Sequence, residues 1–288
     1  MIRLSAFADE AGASVSQQIE ALKRNRISLI ELRNADGINV WEWTEEFALR
    51  IAERLSAEKI KVWAIGSPIG KVPVNVDMKE YLKGCERIFR IANVTGTTRV
   101  RAFSFFGAYD QPRKAAYNLG EIVNAASDYG VEIYHENEKE IFGDVADRVE
   151  YLLDNVKGLK SVFDPANYVQ CGENVEKAFK TLAPRTDYYH IKDVVADTGE
   201  IVPAGFGDGY IDGIIANTGD NKTFTVEPHL KVFDGFGKLE SGKLKGRFEF
   251  ANCTESFDCA VGSLKKRLIA AGYAEHSDGD FYVGKVDN

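Results

Sequence analysis

Four polar residues each follow a strand-like run, and they are spaced by about one strand-plus-helix unit. They are Glu136 in VEIYHEN, Asp164 in KSVFDPAN, His190 in DYYHIKD and Glu227 in TFTVEPH. The intervals between them are 28, 26 and 37 residues, and one βα unit of a parallel barrel takes about 25–40 residues. Because successive strands of such a barrel end at the same rim, these four side chains are expected to converge.

Three carboxylates and an imidazole at one point predict a bound cation. Carboxylates crowded together without partners repel, so that one of them would take up a proton. A single divalent ion removes this repulsion, and the mixed oxygen and nitrogen donors suit Mn, Mg, Co or Zn. A lone glutamate in such a place is usually solvated and a lone histidine is usually structural, but the shared position of Glu136, Asp164, His190 and Glu227 favours a common metal site.

The elements that would position these residues alternate along the whole chain. Helical runs separate the strand-like runs; in SVSQQIEALKRN, for example, Val15, Ile19 and Leu22 share one face and Ser14 can cap the helix. Asp144 is expected to cap the fifth helix. This alternation predicts an α/β fold, a single-domain (β/α)8 TIM barrel over residues 1–288. The eight predicted strands are 2–7, 29–32, 61–65, 99–105, 132–135, 161–163, 188–191 and 223–226.

Two segments are longer than ordinary βα loops, at residues 194–209 and 231–254. Long loops at the catalytic rim of a barrel commonly set specificity. The second segment is equally consistent with a surface hairpin at a subunit contact. The glycines Gly205, Gly207 and Gly209 favour a flexible turn beside the metal, since they do not directly follow a strand as in a dinucleotide motif.

Composition limits the classes of function. The 288 residues, 44% hydrophobic and 28% charged, fit one barrel of ordinary length, and the net charge of −8 disfavours nucleic acid as a partner. No apolar run approaches the roughly 20 residues of a membrane span. The four cysteines form no CxxC pair and the N-terminus has no leader-like pattern. We therefore expect reduced thiols and a cytoplasmic protein.

Six motifs in this order resemble the sugar phosphate isomerase/epimerase family, the xylose isomerase-like TIM barrels. The motifs are IELRN, HENE, FDPAN, HIKD, PAGFGDG and VEPH, and the resemblance extends over roughly residues 1–275. It implies one divalent metal bound by Glu136, Asp164, His190 and Glu227, with Glu136 and Glu227 also acting as paired acid and base. It further implies a small sugar or hydroxy-carbonyl substrate and a homodimer or homotetramer.

The chain departs from some branches of this family. Ketose epimerases typically have a substrate-binding histidine where this chain has Asn167, and an arginine after the strand-seven histidine, where KDVVAD has none. A free hexulose epimerase is therefore disfavoured, although Lys192 could supply the missing cation. Endonuclease IV builds a three-metal cluster from many histidines, whereas this chain has four histidines in all.

Several other residues are candidates for substrate binding. Three of them also have a structural alternative to substrate binding. Trp63 is equally consistent with a place in the barrel core, Lys71 with a solvated loop, and Lys192 with an ion pair to Asp193 at the rim. His229 could donate to a substrate hydroxyl. The complete candidate set is Arg33, Trp63, Lys71, Arg101, Asn167, Lys192 and His229.

The resemblance implies proton abstraction next to a carbonyl, through an enediolate, by an isomerase or epimerase of carbohydrate metabolism, and the residue types fit this chemistry. A carboxylate removes the proton, the metal polarises the carbonyl, and a second carboxylic acid returns the proton. Two alternatives stay open. One is a dehydratase or lyase that uses the same site on a keto-polyol, and the other is a non-catalytic sugar-binding barrel.

Overall fold

The computed structural model describes residues 1–232 and 247–283, and eight parallel strands in this part of the chain form a barrel in sequence order. This confirms the predicted TIM barrel. Seven strands agree with the predicted bounds to within one residue, whereas the fourth ends at Ala102 rather than at residue 105. The strands are β1 (Ile2–Ala6), β2 (Leu29–Leu32), β3 (Lys61–Gly66), β4 (Arg99–Ala102), β5 (Glu132–Glu136), β6 (Lys160–Phe163), β7 (Tyr188–Ile191) and β8 (Lys222–Val226).

Each strand from β2 to β8 pairs in parallel with the next one along the chain, and β8 pairs with β1 from Ile2–Lys222 to Ala6–Val226. Between β1 and β2 the barrel closes by close packing, without a hydrogen-bonded ladder among the described residues. An antiparallel hairpin, β9 (Tyr273–Glu275) and β10 (Phe281–Val283), continues the sheet at the edge of β1 opposite β8, where Phe281 pairs with Ile2. All eight barrel strands therefore end at one rim.

Helices cover the outside of the barrel and bury their apolar faces against it. Ser14 caps the first helix through a capping box with Gln17, as the sequence predicts. The described helices are α1 (Val15–Arg24), α2 (Glu45–Ala57), α3 (Met78–Thr95), α4 (Pro112–Ser127), α5 (Ala146–Asn155), α6 (Pro165–Gln170), α7 (Val175–Leu182), α8 (Ile211–Asn217) and α9 (Cys253–Ala270).

The prediction for Asp144 was wrong. Val145 is the N-cap residue of α5 and makes no side-chain cap, while the Ala146 N–H donates to Glu173 at 2.7 Å. Asp144 instead accepts hydrogen bonds from Tyr109 and Arg148. Glu173, in the loop between α6 and α7, thus replaces the local cap.

The barrel interior is built in two layers. Side chains two residues apart on a strand share a face, and on β7 the pair Tyr188 and His190 places an aromatic ring below an imidazole, with ring centroids 5.5 Å apart. Tyr134 and Val162 lie in the same lower apolar layer as Tyr188, and Trp63 packs edge-on against Tyr188 at 5.9 Å. The lower half of the barrel is therefore closed by packed side chains, and the polar layer lies above it.

The first long segment begins with a short antiparallel ladder between Asp193–Val194 and Ile201–Val202. Of the second predicted segment, 231–254, residues 233–246 lie outside the described part of the chain. Its role as a specificity loop or subunit contact stays a prediction, as does the single domain over 1–288.

Replacement of Trp63 by alanine tests the structural role that this packing gives it. Trp63 is 9% exposed, and the guanidinium of Arg99 lies 4.0 Å from its ring centroid. Trp63→Ala should lower the free energy of unfolding by about 3–5 kcal/mol because it leaves a cavity, while metal affinity should stay close to wild type. Denaturant unfolding and metal titration measure the two effects. Unchanged stability with weakened ligand binding would instead make Trp63 a site residue.

Candidate metal centre and active site

The structure brings together the four residues at the strand ends. Glu136 ends β5, His190 lies in β7, and Asp164 and Glu227 directly follow β6 and β8. One ligand atom from each lies within 4.8 Å of the others, and all four side chains are buried. The spacing of the strand ends therefore produces one compact cluster of three carboxylates and an imidazole.

The imidazole of His190 is held between two carboxylates. Its Nδ1 lies 2.8 Å from Glu136 Oε1, and its Nε2 lies 3.0 Å from Glu31 Oε2. Burial alone would lower the pKa of His190, but Glu136 and Glu31 raise it to about 10. Tyr188 and Thr225 donate hydrogen bonds to Glu31, which fixes the carboxylate that orients the ring.

Three buried cations neutralise the cluster. Arg101 donates to Glu136 at 2.8 Å, Arg33 donates to Glu227 at 3.0 Å, and Lys192 Nζ lies 3.3 Å from oxygens of both Asp164 and Glu227. Burial should disfavour ionised carboxylates in such a place. The cations therefore decide which of the acids is charged.

The pKa values of the three carboxylates differ accordingly. Burial opposes the ionisation of Glu136, but His190 and Arg101 lower its pKa to about 2. Burial also opposes that of Glu227, yet Lys192, His229, His190 and Arg33 hold its pKa well below the usual range. For Asp164, burial and the neighbouring glutamates outweigh Lys192 and raise the pKa to about 7.

Two further acidic residues, Asp9 and Glu10, lie beside the cluster in the short segment that follows β1. Arg33 donates to both Asp9 oxygens, at 3.0 and 3.1 Å, and to Glu10 at 3.0 Å. The His229 N–H donates to Glu10 at 2.6 Å, and Glu10, Glu227 and His229 offer ligand atoms within 4.8 Å of one another. Burial raises the pKa of Glu10 to about 8, against the lowering effect of Arg33.

The sequence did not indicate Asp9 and Glu10, and it indicated Glu31 as a residue of the barrel rim without a role in the site. The available signal was position: ADE directly follows the predicted strand 2–7, as the other site residues follow their strands. Glu31 lies on β2 two residues before Arg33, and so shares its inward face.

A narrow polar cavity opens above the cluster. Lys71 Nζ pairs with Glu138 there at 2.9 Å and lies 4.2 Å from the ring centroid of Phe103. Five of the seven predicted substrate-binding residues line this cavity. The lining residues are Arg33, Lys71, Arg101, Glu136, Glu138, Lys192, Glu227 and His229.

The other two candidates, Trp63 and Asn167, do not line the cavity. Trp63 lies in the lower apolar layer. Asn167 lies behind Asp164: its backbone N–H donates to Asp164 Oδ1 at 3.0 Å, and its amide donates to the Asn137 carbonyl at 2.8 Å. Asn137 in turn accepts the Asp164 N–H at 2.8 Å. Asn137 thus fixes the backbone of Asp164, and the backbone N–H of Asn167 fixes its carboxylate.

The sequence left open an ion pair between Lys192 and Asp193, but these two side chains do not pair in the structure. The Asp193 carboxylate accepts hydrogen bonds from the N–H groups of Gly205, Gly207 and Gly209 at 2.8 to 3.0 Å. The glycine turn that was expected to be flexible is thus tied to the end of β7. This anchor leaves the Lys192 side chain directed toward Asp164 and Glu227.

The residues present fit a divalent cation. Four donors of the right chemistry converge within 4.8 Å, and Asp164 Oδ2 is buried without a hydrogen bond among the described residues. The carboxylate of Glu31 holds the far nitrogen of His190, as carboxylates commonly do for metal-binding histidines.

These features define an α/β barrel with a buried carboxylate and histidine cluster at the carboxyl ends of its strands, where barrel enzymes carry their active sites. Residues 19–231 match the family model of xylose isomerase-like TIM barrels, and the chain belongs to this family. The resemblance seen in the motifs is thereby confirmed. A comparison with curated protein sequences finds no significant match.

Solved structures share the fold at low sequence identity. The probable 3-DHS dehydratase AsbF from Bacillus anthracis is 18% identical with a TM-score of 0.69, covering 92% of this chain and 98% of that one. An L-ribulose 3-epimerase is 16% identical with a TM-score of 0.71, covering 94% and 96%. The IOLI protein with a bound zinc atom is 16% identical with a TM-score of 0.68, covering 93% and 97%.

No helix within residues 1–232 and 247–283 combines the length and the apolar character that a membrane span requires.

His135, beside Glu136 on the outward face of β5, predicts a specific pH dependence. Burial lowers its pKa to about 4, although Glu136 opposes this, and its Nε2 lies 2.8 Å from Ser104 Oγ. Below the ordinary pKa of about 6.5, the unfolded chain binds a proton that the folded chain does not. Stability should therefore fall by about 3 kcal/mol as the pH drops from about 6.5 to 4.

In the variant His135→Gln, the free energy of unfolding should fall less steeply with decreasing pH than in wild type. Denaturant unfolding between pH 4 and 7 measures this difference. His276→Gln, at an exposed histidine of the C-terminal hairpin, is the matched control and should keep the wild-type slope. Equal slopes for wild type and His135→Gln would show that His135 is not a buried neutral imidazole.

Proposed function

We propose that the protein is a divalent metal-dependent isomerase or epimerase that acts on a small sugar, sugar phosphate, keto-polyol or related hydroxy-carbonyl substrate. It abstracts a proton next to a carbonyl and passes through an enediolate. The observation that carries this proposal is the pairing of Glu136 and Glu227, two buried carboxylates within one 4.8 Å ligand set, each with its own arginine. The L-ribulose 3-epimerase among the similar folds supports the reaction class.

Glu136, Asp164, His190 and Glu227 would hold the metal, which is Mn, Mg, Co or Zn. When bound, it polarises the substrate carbonyl and stabilises the charge that develops as the proton leaves. The zinc atom in the similar IOLI structure supports a metal in a protein of this fold.

Glu136 and Glu227 act as the base and the acid. They lie on β5 and directly after β8, on different sides of the barrel mouth, so a substrate between them presents a different face to each. Their lowered pKa values keep both carboxylates ionised in the free protein. The glutamate that acts as base is therefore ready but weak, and the one that acts as acid must first take a proton from solvent, while the base releases its proton to solvent. The reaction therefore requires a substrate C–H made acidic by the adjacent carbonyl.

The cations around the cavity bind and orient the substrate oxygens. Arg33 and Arg101 remain fixed by their glutamates, whereas Lys71 and Glu138 form a pair at the edge of the cavity. His229 lies 3.5 Å from Glu227 and can contact a hydroxyl beside the reacting carbon. These contacts favour a polar substrate with several oxygen atoms.

A dehydratase or lyase acting on a keto-polyol is the second candidate, and Glu10 is the observation that favours it. Because burial raises the pKa of Glu10 to about 8, this carboxyl carries a proton near neutral pH. Side-chain atoms of Glu10, Glu227 and His229 lie within 4.8 Å of one another, and Glu10 can there protonate a departing hydroxyl. The probable dehydratase among the similar folds supports this alternative.

The metal prediction is tested by elemental analysis of protein purified without chelator. Wild type should contain about one divalent ion per chain, and the Glu136→Gln, Glu227→Gln double variant should contain almost none because two charged ligands are lost. Glu138→Gln, which changes a cavity residue outside the ligand set, should retain the metal. Wild-type protein that is metal-free and takes up neither Mn nor Zn would contradict the proposal.

The reaction is tested by incubating the metal-loaded protein with keto-sugars and keto-polyols in deuterium oxide. Wild type should introduce solvent deuterium next to the carbonyl, and Glu136→Gln or Glu227→Gln should slow exchange by about 10²–10⁴-fold. An isomerase or epimerase returns a compound of unchanged composition, whereas a dehydratase releases water. Binding of a substrate without any exchange would identify a sugar-binding barrel instead.

A further inference from the structure

Lys192 occupies an unusual position among the cations of the site. It follows His190 by two residues, so the two side chains leave the end of β7 on the same face. Its ammonium lies 3.3 Å from Asp164 Oδ2 and 3.3 Å from Glu227 Oε2, and its side chain is 3% exposed. Lys192 thus bridges two of the four residues that fit a metal.

The two arginines contact the cluster differently. Arg101 binds Glu136 through Oε2 and leaves Oε1 to His190, and Arg33 binds Glu227 through Oε1. Each arginine thus holds one oxygen of its glutamate, which is compatible with a cation on the other oxygen. Lys192 instead contacts Asp164 Oδ2, which has no hydrogen bond among the described residues, together with the second oxygen of Glu227.

We propose that the ammonium of Lys192 and the divalent metal compete for Asp164 and Glu227. A metal bound to these oxygens would lie about 2.0–2.3 Å from them, and an ammonium in the position of Lys192 would then be a close like charge. Lys192 holds the two carboxylates together in the metal-free protein and moves away when the metal binds. This inference rests on the proposed metal site and adds to it a cation that sets the metal affinity.

The surroundings of Lys192 allow this exchange. Asp193 anchors the backbone through the glycine turn, so the movement is confined to the lysine side chain. The cavity above the cluster is lined by Lys192 itself and by Glu138, next to Lys71. The displaced ammonium therefore enters the cavity that receives the substrate, and metal loading makes it available to a substrate oxygen.

The test compares metal affinity in chelator-treated wild type and in Lys192→Met, which keeps an unbranched side chain of similar length without the charge. Calorimetric titration with Mn²⁺ should show binding at least about tenfold tighter in Lys192→Met, because the metal no longer displaces an ammonium. Lys71→Met removes an ammonium from the same cavity without touching a proposed ligand, and should bind like wild type.

Thermal unfolding of the metal-free proteins gives a second readout, independent of activity. Lys192→Met should unfold at a lower temperature than wild type, since Asp164 and Glu227 lose their shared cation, and Mn²⁺ should raise its unfolding temperature by more than it does for wild type. Lys192→Gln is the second neutral variant if the methionine disturbs packing.

The results distinguish a failure of the proposed competition by Lys192 from a failure of the proposed metal-dependent function. Equal or weaker Mn²⁺ binding by both neutral variants, with clear binding by wild type, would overturn the competition and leave the metal site in place. The absence of Mn²⁺ binding in wild type and in every variant would overturn the proposed function, and the role of Lys192 with it.

Discussion

The structure depends on the neutralisation of acidic side chains buried at one end of a barrel. Asp164, Glu136 and Glu227 lie too close together to remain ionised on their own, and burial alone would raise the pKa of each. Arginines, a lysine and a histidine from other strands supply the opposing charge. Because these partners come from β2, β4 and β7, the cluster forms only when the whole barrel has closed.

The alternation of side chains along each strand places this charged layer directly on a packed one. Tyr134, Val162 and Tyr188 each lie two residues before a member of the cluster, and they form the buried apolar layer with Trp63. Tyr188 links the layers by donating to Glu31, which holds His190. Packing in the lower half of the barrel therefore fixes the orientation of the imidazole above it, which is the precision that a metal site requires.

The fold and the position of the cluster could be predicted from the sequence because both follow from local patterns. Strand runs separated by helical runs specify the barrel, and residues such as Glu136 and Glu227 lie at the same point of their units. Which acidic side chain each cationic residue contacts could not be predicted in this way, because the contacting residues come from distant strands. Nothing local to ADE shows that Glu10 will meet His229, which is 219 residues away. Likewise Lys192 pairs with Asp164 and Glu227 rather than with its neighbour Asp193, whose carboxylate accepts hydrogen bonds from the glycine turn.

The four strand-end residues are proposed to form one metal centre. Anomalous diffraction at the manganese edge, from crystals soaked in Mn²⁺, would locate the ion. A single strong peak is expected about 2.0–2.3 Å from ligand atoms of Glu136, Asp164, His190 and Glu227. A Mn²⁺ peak against Glu10 and His229 alone, or the absence of any peak in the barrel, would contradict this proposal.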